Sequence, residues 1–272
     1  MDEHAAAAWN ELVAAIGGMG ALTVAYSGGI DSRFLAHAAV HAGVRVELVH
    51  ACGPHVAPEE TRFAGDWAES RGLALRMLHF DPLSLPEVAA GGRERCYACK
   101  RSLFEQLMDM AGGRVCDGSN ASDAAQHRPG RRALRELGVC SPLAEAGLTK
   151  DMIRALARQT GLERPEQQAR ACLLTRLPYG HAPGPSSLAR LAEAERVVAE
   201  AFRMAGYDEF PFRLRLCETG CHELHLGRDV ASPLLLLGLV ELLQTQGFPS
   251  IFVRVIPTLS GYFDRIGNDP EI

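Results

Sequence analysis

The sequence predicts an α/β fold: a domain built on a mostly parallel sheet, followed by a small α+β domain. Short apolar runs alternate with helical patterns over the first 165 residues, which is typical of a parallel sheet wrapped by helices. The pattern changes after a stretch rich in Pro, Gly and His. A length of 272 residues suits about two domains of ~150 residues each. We therefore expect domains at 1–165 and 188–272, joined by a functional loop and linker at 166–187.

Local signals define the elements of the first domain. Apolar runs predict strands, and helical patterns predict helices, in alternation at residues 21–26, 30–41, 44–50, 58–71, 73–80, 100–110, 114–116 and 150–160. Pro58 suits a first helical turn, Thr149 suits an N-cap, and Gly161 suits a helix end. Ligands of such sheets bind beyond the carboxyl ends of the strands. The polar segments after the first and fourth strands are therefore candidate sites.

The second domain reads as a smaller unit of mixed type. We expect a helix, two strands, a helix and a strand at residues 187–204, 210–216, 223–226, 232–246 and 250–256. This order suggests a split sheet of the ferredoxin-like kind.

Composition restricts the class of protein. An apolar content of 47% with 22% charged residues excludes disorder as the main state. A formal net charge of −5 weighs against a binder of duplex nucleic acid, which needs a basic face. The start MDEHAAAAWN places acid where a signal peptide has base, and the longest apolar stretch is too short for a membrane span. We expect a cytoplasmic protein.

The segment SGGIDS at residues 27–32 follows a buried strand and opens a helix. We call this segment the phosphate loop. Two successive glycines let backbone amides approach a ligand, and a helix N-terminus favours an anion. Asp31 suits such a site if it holds Mg²⁺ or the amides of the loop. Neither a G-x-x-x-x-G-K-[ST] motif nor a complete dinucleotide fingerprint is present. A tight turn without a ligand is the alternative.

SGGIDS in this context resembles the loop of the PP-loop ATP pyrophosphatases, which have the adenine nucleotide α-hydrolase-like fold. The resemblance implies cleavage of ATP between the α- and β-phosphates and transfer of AMP to a substrate oxygen. ATP and Mg²⁺ are the implied cofactors, and the implied binding residues are Ser27, Gly28, Gly29, Asp31, Ser32, Asp117, Gly118, Asn120 and Arg128. For the DGSN residues the alternative is a turn with Asx hydrogen bonds; for Arg128 it is the closing of a loop.

Eight cysteines are too few for a disulfide scaffold. Cys96 and Cys99 form a C-x-x-C pair, and Cys172 lies in the Pro/Gly-rich loop. Three thiolates without a fourth ligand suit a [4Fe-4S] cluster with one open iron, whereas structural zinc takes four ligands. Buried thiols or a redox dithiol are the alternatives.

The strings RCYACKRSLF, DGSN, RPGRRALRELGVCSPLAEAGLTKDMIRALARQTGL and ACLLTRLPYG resemble the LarE family of ATP-dependent sulfur transferases, over about residues 20–180. That family inserts sulfur during biosynthesis of the nickel-pincer nucleotide cofactor. The implied substrate is pyridinium-3,5-biscarboxylic acid mononucleotide, whose carboxylate is adenylated and then converted to a thiocarboxylate. Members with one cysteine, matching Cys172, give up its sulfur; members with three carry sulfur on a [4Fe-4S] cluster. Cys96, Cys99 and Cys172 resemble the second type, and Cys172 and Asp31 are the implied catalytic residues.

The resemblance also implies a substrate site. Thr175 stands where the family often has Ser, and Arg176 in the same loop suits a phosphate or carboxylate. Arg213 and Arg215 alternate on one strand and so share a face. They match an Arg-x-Arg strand that faces the substrate phosphate in the family. An exposed, charged strand face is the alternative.

Some features depart from the family. Thr258 stands where the family has an acidic residue before a Gly-Tyr pair, and Arg33 stands where a small residue is common. The segment CETGCHELH, with Cys217, Cys221, His222 and His225, is either a metal or redox site or a β-turn. The isolated cysteines are interpreted as small buried hydrophobes: Cys52, Cys116 and Cys140.

We therefore predict an ATP-dependent sulfur transferase that works as a homo-oligomer with an unidentified sulfur donor. A PP-loop tRNA thiolase is one alternative, and the net charge of −5 counts against the basic RNA-binding surface it needs. A non-catalytic ATP- or redox-sensing protein is the other. Release of AMP and pyrophosphate with the mononucleotide favours the sulfur transferase, and stable tRNA binding at physiological salt favours the thiolase.

Overall fold

The computed structural model describes residues 3–125, 129–230 and 232–266. The chain divides into two compact units, one of Met1–Gly53, Pro58–Asp81 and Cys96–Ala169, the other of Pro54–Ala57, Pro82–Arg95 and Arg170–Ile272. The predicted α/β class is confirmed, because the first unit holds a parallel sheet with helices and the second a small mixed sheet.

The first sheet has four parallel strands in the order β3–β2–β1–β4. The strands are β1 (Ala21–Ala25), β2 (Arg45–Cys52), β3 (Ala74–His79) and β4 (Arg114–Cys116). β1 pairs on both sides, with Leu22 next to Val46 and Arg114. This position explains why its three central residues, 22–24, are all buried, because a central strand with helices on both faces is covered on both sides.

Helices alternate with these strands. They are α1 (Glu3–Gly17), α2 (Ile30–His41), α3 (Pro58–Ser70), α4 (Pro86–Ala89), α5 (Arg95–Met110), α6 (Pro129–Glu136), α7 (Pro142–Glu145) and α8 (Lys150–Gln159), of which α4 belongs to the second unit. α1 was not predicted; it packs on α2, with the rings of Trp9 and Phe34 5.5 Å apart. The sequence placed this helix at residues 100–110, after Cys96 and Cys99. In the structure α5 begins at Arg95, so both cysteines lie within the helix.

The predicted limits of α8 are confirmed by its hydrogen bonds. The side-chain oxygen of Thr149 accepts a hydrogen bond from the N–H of Met152, 3.3 Å away. Gly161, just past the helix, has a φ of +75°, the left-handed conformation that ends helices.

The second unit contains α9 (Pro185–Met204), β5 (Phe212–Leu216), β6 (His222–Leu226), α10 (Pro233–Thr245), β7 (Ile251–Val255) and α11 (Tyr262–Ile266). β6 lies between its neighbours, antiparallel to β5 and parallel to β7. Within the residues described the sheet has three strands, so the ferredoxin-like suggestion, which needs four, is wrong. The core of the unit contains Phe202, Leu214, Leu224 and Phe248, all fully buried.

Residues 82–95 join the second unit although they lie early in the chain. The guanidinium of Arg95 donates hydrogen bonds to the carbonyls of Leu177 (2.7 Å) and Pro178 (3.1 Å), and the N–H of Gly180 donates to the carbonyl of Gly91. Contacts so distant in sequence leave no local pattern. In the part of the chain that is described, no helix is long and apolar enough to cross a membrane.

Candidate functional site

The phosphate loop lies where β1 ends and α2 begins, at the carboxyl edge of the parallel sheet. Gly28 has a φ of +77°, and a Cβ added there would come 3.2 Å from the Cβ of Ala64. Both facts favour glycine. Gly29 is the N-cap residue of α2 and has no side chain to cap the helix. The N–H groups of the first turn, which lack intrahelical partners, are thus suited to bind an anion.

The two serines of the loop hold its shape from inside. The hydroxyl of Ser32 donates to the carbonyl of Gly29 (3.1 Å) and accepts from the N–H of Ser27 (3.3 Å). The Ser27 oxygen in turn accepts from the N–H of Gly29 and lies 3.3 Å from the Ser32 oxygen. These bonds fix the loop before any ligand arrives.

The end of β4 lies directly against the start of α2. A Cβ added to Gly118 would lie 3.0 Å from the backbone nitrogen of Ser32 and 3.2 Å from the carbonyl carbon of Asp31. Such distances are shorter than most contacts of a Cβ, so glycine favours this close approach. The structure therefore brings the DGSN segment and the phosphate loop together.

Asp31 faces a lysine that the sequence analysis missed. The ammonium of Lys150, the first residue of α8, lies 2.7 Å from one carboxylate oxygen of Asp31. The other oxygen, Oδ1, is buried and has no hydrogen-bond partner among the described residues. Burial raises the pKa of Asp31, and the Lys150 charge opposes that shift. A buried carboxylate oxygen without a partner is suited to bind a cation such as Mg²⁺.

Asp117 and Asn120 lie in the turn after β4 and are both buried. The Asp117 carboxylate accepts hydrogen bonds from the hydroxyls of Ser119 (2.5 Å) and Ser141 (2.7 Å). The Asn120 side chain accepts from the N–H of Ser122 at 3.0 Å, an Asx turn. Both side chains thus shape the segment that contacts the phosphate loop.

Two arginines named from the sequence have different outcomes. Arg33 is fully buried and donates from Nε to the carbonyl of Gly28 (3.1 Å). Its other nitrogens donate to the carbonyl of Glu163 (2.7 Å) and the side chain of Gln167 (2.5 Å). Arg33 thus ties the phosphate loop to the segment after α8. Arg128 lies outside the described residues.

The three cysteines predicted to bind a cluster lie on two elements. Cys96 and Cys99 are half-buried neighbours on the first turn of α5, since residues three apart share a helix face. Cys172, also half-buried, precedes a 3₁₀ turn at Leu173–Arg176 in the second unit. No three His, Cys, Asp or Glu side chains of the described residues are grouped closely enough to hold a metal ion. The joint binding of a [4Fe-4S] cluster by the three cysteines stays a prediction.

The Cys172 loop is held by Arg176, which is fully buried. Its Nε and Nη2 each donate to the Glu195 carboxylate at 2.8 Å, and Nη1 donates to the carbonyl of Ala171 and the hydroxyl of Thr175. The Thr175 hydroxyl donates to the carbonyl of Cys172 at 2.7 Å. Nη1 of Arg176 thus holds the loop from within, and Nε and Nη2 fasten it to Glu195 of α9.

Glu195 is the second residue that the sequence analysis missed. Burial alone would raise its pKa, but the charge and hydrogen bonds of Arg176, the charge of Arg213 and the N–H of Leu214 together outweigh burial and lower it. Glu195 also accepts from the N–H of Leu214 on β5 at 2.9 Å. One carboxylate on α9 therefore joins the Cys172 loop to the Arg-x-Arg strand, and the helical pattern of α9 gave no sign of it.

Arg213 and Arg215 share one face of the second sheet with the β6 residues opposite them, Glu223 and His225. We call this the arginine face. Both guanidiniums are buried, so the alternative of an exposed charged strand is wrong. Burial lowers the pKa of Arg215 to about 9, and the nearby Arg176 and Arg213 add to that shift. Arg176, Arg213 and Arg215 are thus buried close enough to affect one another, and an anion would stabilise their charged forms.

The first five residues of CETGCHELH form the tight turn between β5 and β6, and the last four lie in β6. The N–H of Cys217 donates to the carbonyl of Cys221 (2.8 Å), and the N–H of Gly220 donates to the carbonyl of Cys217 (3.0 Å). Burial, followed by the Glu223 carboxylate, raises the pKa of Cys217 to about 12, so its thiol is not a nucleophile. No metal group forms here among the described residues, which favours the β-turn interpretation.

The isolated cysteines are only partly as predicted. Cys116 is fully buried, and burial raises its pKa to about 12. Cys52 and Cys140 are half-buried, and Cys140 packs against the hydrophobic core. Cys52 ends β2, where its sulfur lies 3.4 Å from Nδ1 of His79 on the neighbouring strand.

Two uncharacterised proteins are similar to this chain in sequence. No family model matches the chain. It is 33% identical to an uncharacterised protein of Synechocystis sp. over 70% of this chain and 71% of that one. An uncharacterised protein of Methanocaldococcus jannaschii is 28% identical, over 64% of this chain and 68% of that one.

A third relative has a named activity. The pyridinium-3,5-bisthiocarboxylic acid mononucleotide synthase of Lactiplantibacillus plantarum is 32% identical, over 68% of this chain and 69% of the relative. Identity at this level across two thirds of both chains shows common family membership. The chain belongs to the LarE-type family of sulfur transferases.

Proposed function

We propose that this sulfur transferase uses ATP to adenylate a carboxylate of pyridinium-3,5-biscarboxylic acid mononucleotide and then inserts sulfur to give a thiocarboxylate. The observation that carries the ATP step is the phosphate loop with Gly118 packed against it. The activity named for the Lactiplantibacillus plantarum relative supports the choice of substrate. We place the protein in the cytoplasm, where its thiols stay reduced.

The activation step makes a poor leaving group into a good one. A carboxylate oxygen of the substrate attacks the α-phosphorus of ATP, the bond to the β-phosphate oxygen breaks, and pyrophosphate leaves. Negative charge grows on the phosphate oxygens in the transition state. The first-turn amides of α2 offer hydrogen bonds to that charge, and their positions are fixed in advance by the hydroxyls of Ser27 and Ser32.

Asp31 and Lys150 are proposed to manage charge at the same site. Mg²⁺, when bound, neutralises the phosphates and would be held by the partnerless Oδ1 of Asp31. Lys150 keeps the other oxygen of this carboxylate in place at 2.7 Å. Asp117, Gly118 and Asn120 support the loop from the side of β4, as the geometry above describes.

The second step is nucleophilic substitution at the carbonyl carbon of the acyl-adenylate. A sulfur nucleophile forms the new C–S bond, the bond to the phosphate oxygen breaks, and AMP leaves. A soft, deprotonated sulfur suits this reaction. Cys172 is the proposed catalytic cysteine, and the bonds of Arg176 and Thr175 to its loop fix its backbone.

The sulfur carrier is proposed from the cysteine pattern alone. We propose that Cys96, Cys99 and Cys172 hold a [4Fe-4S] cluster, whose open iron would carry sulfur when the cluster is present. The described side chains are not grouped as a metal site, and the two proposed steps do not depend on the cluster. An anaerobic preparation should contain about four iron and four sulfide per chain, and C172A should lose them. A cluster-free wild type, or an intact cluster in C172A, would reject the carrier.

The arginine face is the proposed seat of the substrate phosphate. Arg213 and Arg215 lie buried on one face of β5, where the charges of Arg176 and Arg213 disfavour the charged form of Arg215 and a phosphate would favour it. We further propose a homo-oligomer; Met204, Leu234 and Phe252 of the second unit are largely exposed apolar side chains of the kind that interfaces bury. The sulfur donor is a partner still to be identified.

The decisive experiment measures AMP and pyrophosphate after adding the mononucleotide and Mg·ATP to the full chain. We expect both products in equal amounts, and only with the dicarboxylate present. Release with a different acid alone would keep adenylation and reject the substrate. No release with any acid, together with ATP binding, would favour a sensor.

A further inference from the structure

We propose that His225 and Glu223 position Arg215 for the substrate phosphate by holding the imidazole in one neutral tautomer. The inference rests on the proposed function, because it assigns a task within the same substrate site. Both residues lie in the segment where the sequence departs from the family pattern. Each acts through Arg215, so both are positioning residues.

The three side chains form a chain of contacts across two strands. In the antiparallel pair of β5 and β6, Arg215 lies opposite Glu223, and His225 lies two residues further along β6 on the same face. Nη1 of Arg215 is 2.8 Å from Nδ1 of His225. Nε2 of His225 is 2.6 Å from a carboxylate oxygen of Glu223.

Donor and acceptor rules leave one arrangement. A guanidinium nitrogen only donates, so Nδ1 of His225 must accept and carries no proton. The remaining ring proton is then on Nε2 and is donated to the Glu223 carboxylate, which only accepts. The carboxylate therefore selects the tautomer that presents a lone pair to Arg215.

The surroundings favour the neutral ring. Burial lowers the pKa of His225 to about 4; the Glu223 carboxylate opposes this, while the charges of Arg215 and Arg254 add to it. Arg254 on β7 also lies 3.4 Å from Glu223, and the ring of Tyr262 lies 4.5 Å from the imidazole. A protonated His225 would place a third positive charge beside two arginines and lose its bond to Arg215.

The charged groups behind Arg215 do not disturb this arrangement. Arg176 from the Cys172 loop and Arg213 from β5 both lower the pKa of Arg215, and the α9 carboxylate Glu195 acts in the opposite direction. The two ring nitrogens of His225 contact Arg215 and Glu223. His225 therefore receives its tautomer from Glu223.

The held guanidinium has one nitrogen left for a ligand. Nη2 of Arg215 donates to the carbonyl of Leu259 (2.5 Å), and Nη1 is held by His225. Nε is buried and has no hydrogen-bond partner within the described part of the chain. A buried donor without a partner is costly, so an acceptor such as a phosphate oxygen fits this position.

Two neutral amide variants separate positioning from mere packing. In H225N the side-chain oxygen lies near the place of Nδ1 and can still accept from Arg215. In H225Q the amide reaches Glu223 instead and leaves Nη1 without its acceptor. We expect H225Q to raise KM for the mononucleotide about tenfold with kcat nearly unchanged, and H225N to restore KM to within about threefold of wild type. With the nucleoside that lacks the phosphate, all three proteins should have equal KM values.

A measurement without substrate tests the tautomer itself. ¹⁵N NMR of the full chain should show His225 with its proton on Nε2 and no titration down to about pH 5. An Nδ1–H tautomer, or an H225Q variant with the wild-type KM, would overturn the inference. If wild type releases no AMP with the mononucleotide, the proposed function fails, and the NMR result still decides whether His225 holds Arg215.

Discussion

The phosphate loop and the arginine face both favour an anion, but they are built by opposite means. The loop uses backbone amides at a helix N-terminus, admitted by Gly28 and Gly118. The arginine face uses buried guanidiniums, of which that of Arg215 is held by the imidazole of His225 from the next strand. Backbone donors are in place once the chain folds locally, whereas side-chain donors depend on partners from several elements. The first arrangement should therefore fail by steric change and the second by loss of a partner.

The largest expected effect is on the second arrangement, from E195Q. The change leaves the buried guanidinium of Arg176 without the carboxylate that binds its Nε and Nη2, which costs about 3–5 kcal/mol of unfolding free energy. Denaturant titration measures the loss. E193Q on the same helix is the matched control, because Glu193 forms an exposed pair with Arg196 and should change stability by under about 1 kcal/mol. Equal effects of the two variants would contradict the arginine network.

Acidification should weaken the same network through His225. Its pKa is about 4 when folded and about 6.5 when unfolded, so the unfolded chain binds the proton more tightly. The contribution is complete above pH 6.5 and falls as the pH drops to 4, by up to about 3 kcal/mol. H225N should therefore have a flatter stability profile over this range than wild type. Parallel profiles would show that His225 is not held neutral.

In the phosphate loop, D31N tests the carboxylate that is proposed to hold Mg²⁺. The amide cannot supply the anionic oxygen proposed to hold Mg²⁺, and it releases Lys150. We expect AMP formation to fall roughly 100-fold while the melting temperature changes little. D109N, at an exposed position on α5, is the control and should keep full activity. A fall in both variants would point to damage unrelated to the loop.

G118A tests the close approach of β4 to the loop. The added methyl group must displace the backbone of Ser32 or Asp31, at a cost of about 1–3 kcal/mol, and KM for ATP should rise. G65A is the matched control, because a Cβ at this helical glycine meets nothing within 4 Å, and it should be neutral or stabilising. An unchanged KM for ATP in G118A would separate the DGSN segment from the ATP site.

The smallest effect is expected from T149A, which removes the N-cap of α8. Loss of this hydrogen bond costs about 1 kcal/mol. Because Lys150 follows the cap directly, the ammonium contact with Asp31 should also loosen and raise KM for ATP slightly. T160A, which removes a side-chain bond at the other end of α8, gives the comparison: it should reduce stability without changing KM.

The sequence alone predicted the parallel-sheet domain, the place of the phosphate loop and the cap of α8. These features depend on local rules: apolar runs for buried strands, paired glycines for a tight turn, and Thr149 three residues before the N–H it caps. The arginine pair was also predicted to share a face, because side chains alternate along a strand. Its burial was not predicted, since alternation does not say which face is covered.

The tertiary structure decided the features that depend on contacts between residues distant in sequence. Lys150 lies 119 residues from Asp31, and Glu195 lies 19 residues from Arg176 on a different element. Neither pairing leaves a local pattern, and the same holds for the tautomer of His225 or the burial of Arg33. Local sequence determines which backbone conformations are favourable. Which charges meet, and at what cost of burial, depends on how distant segments pack.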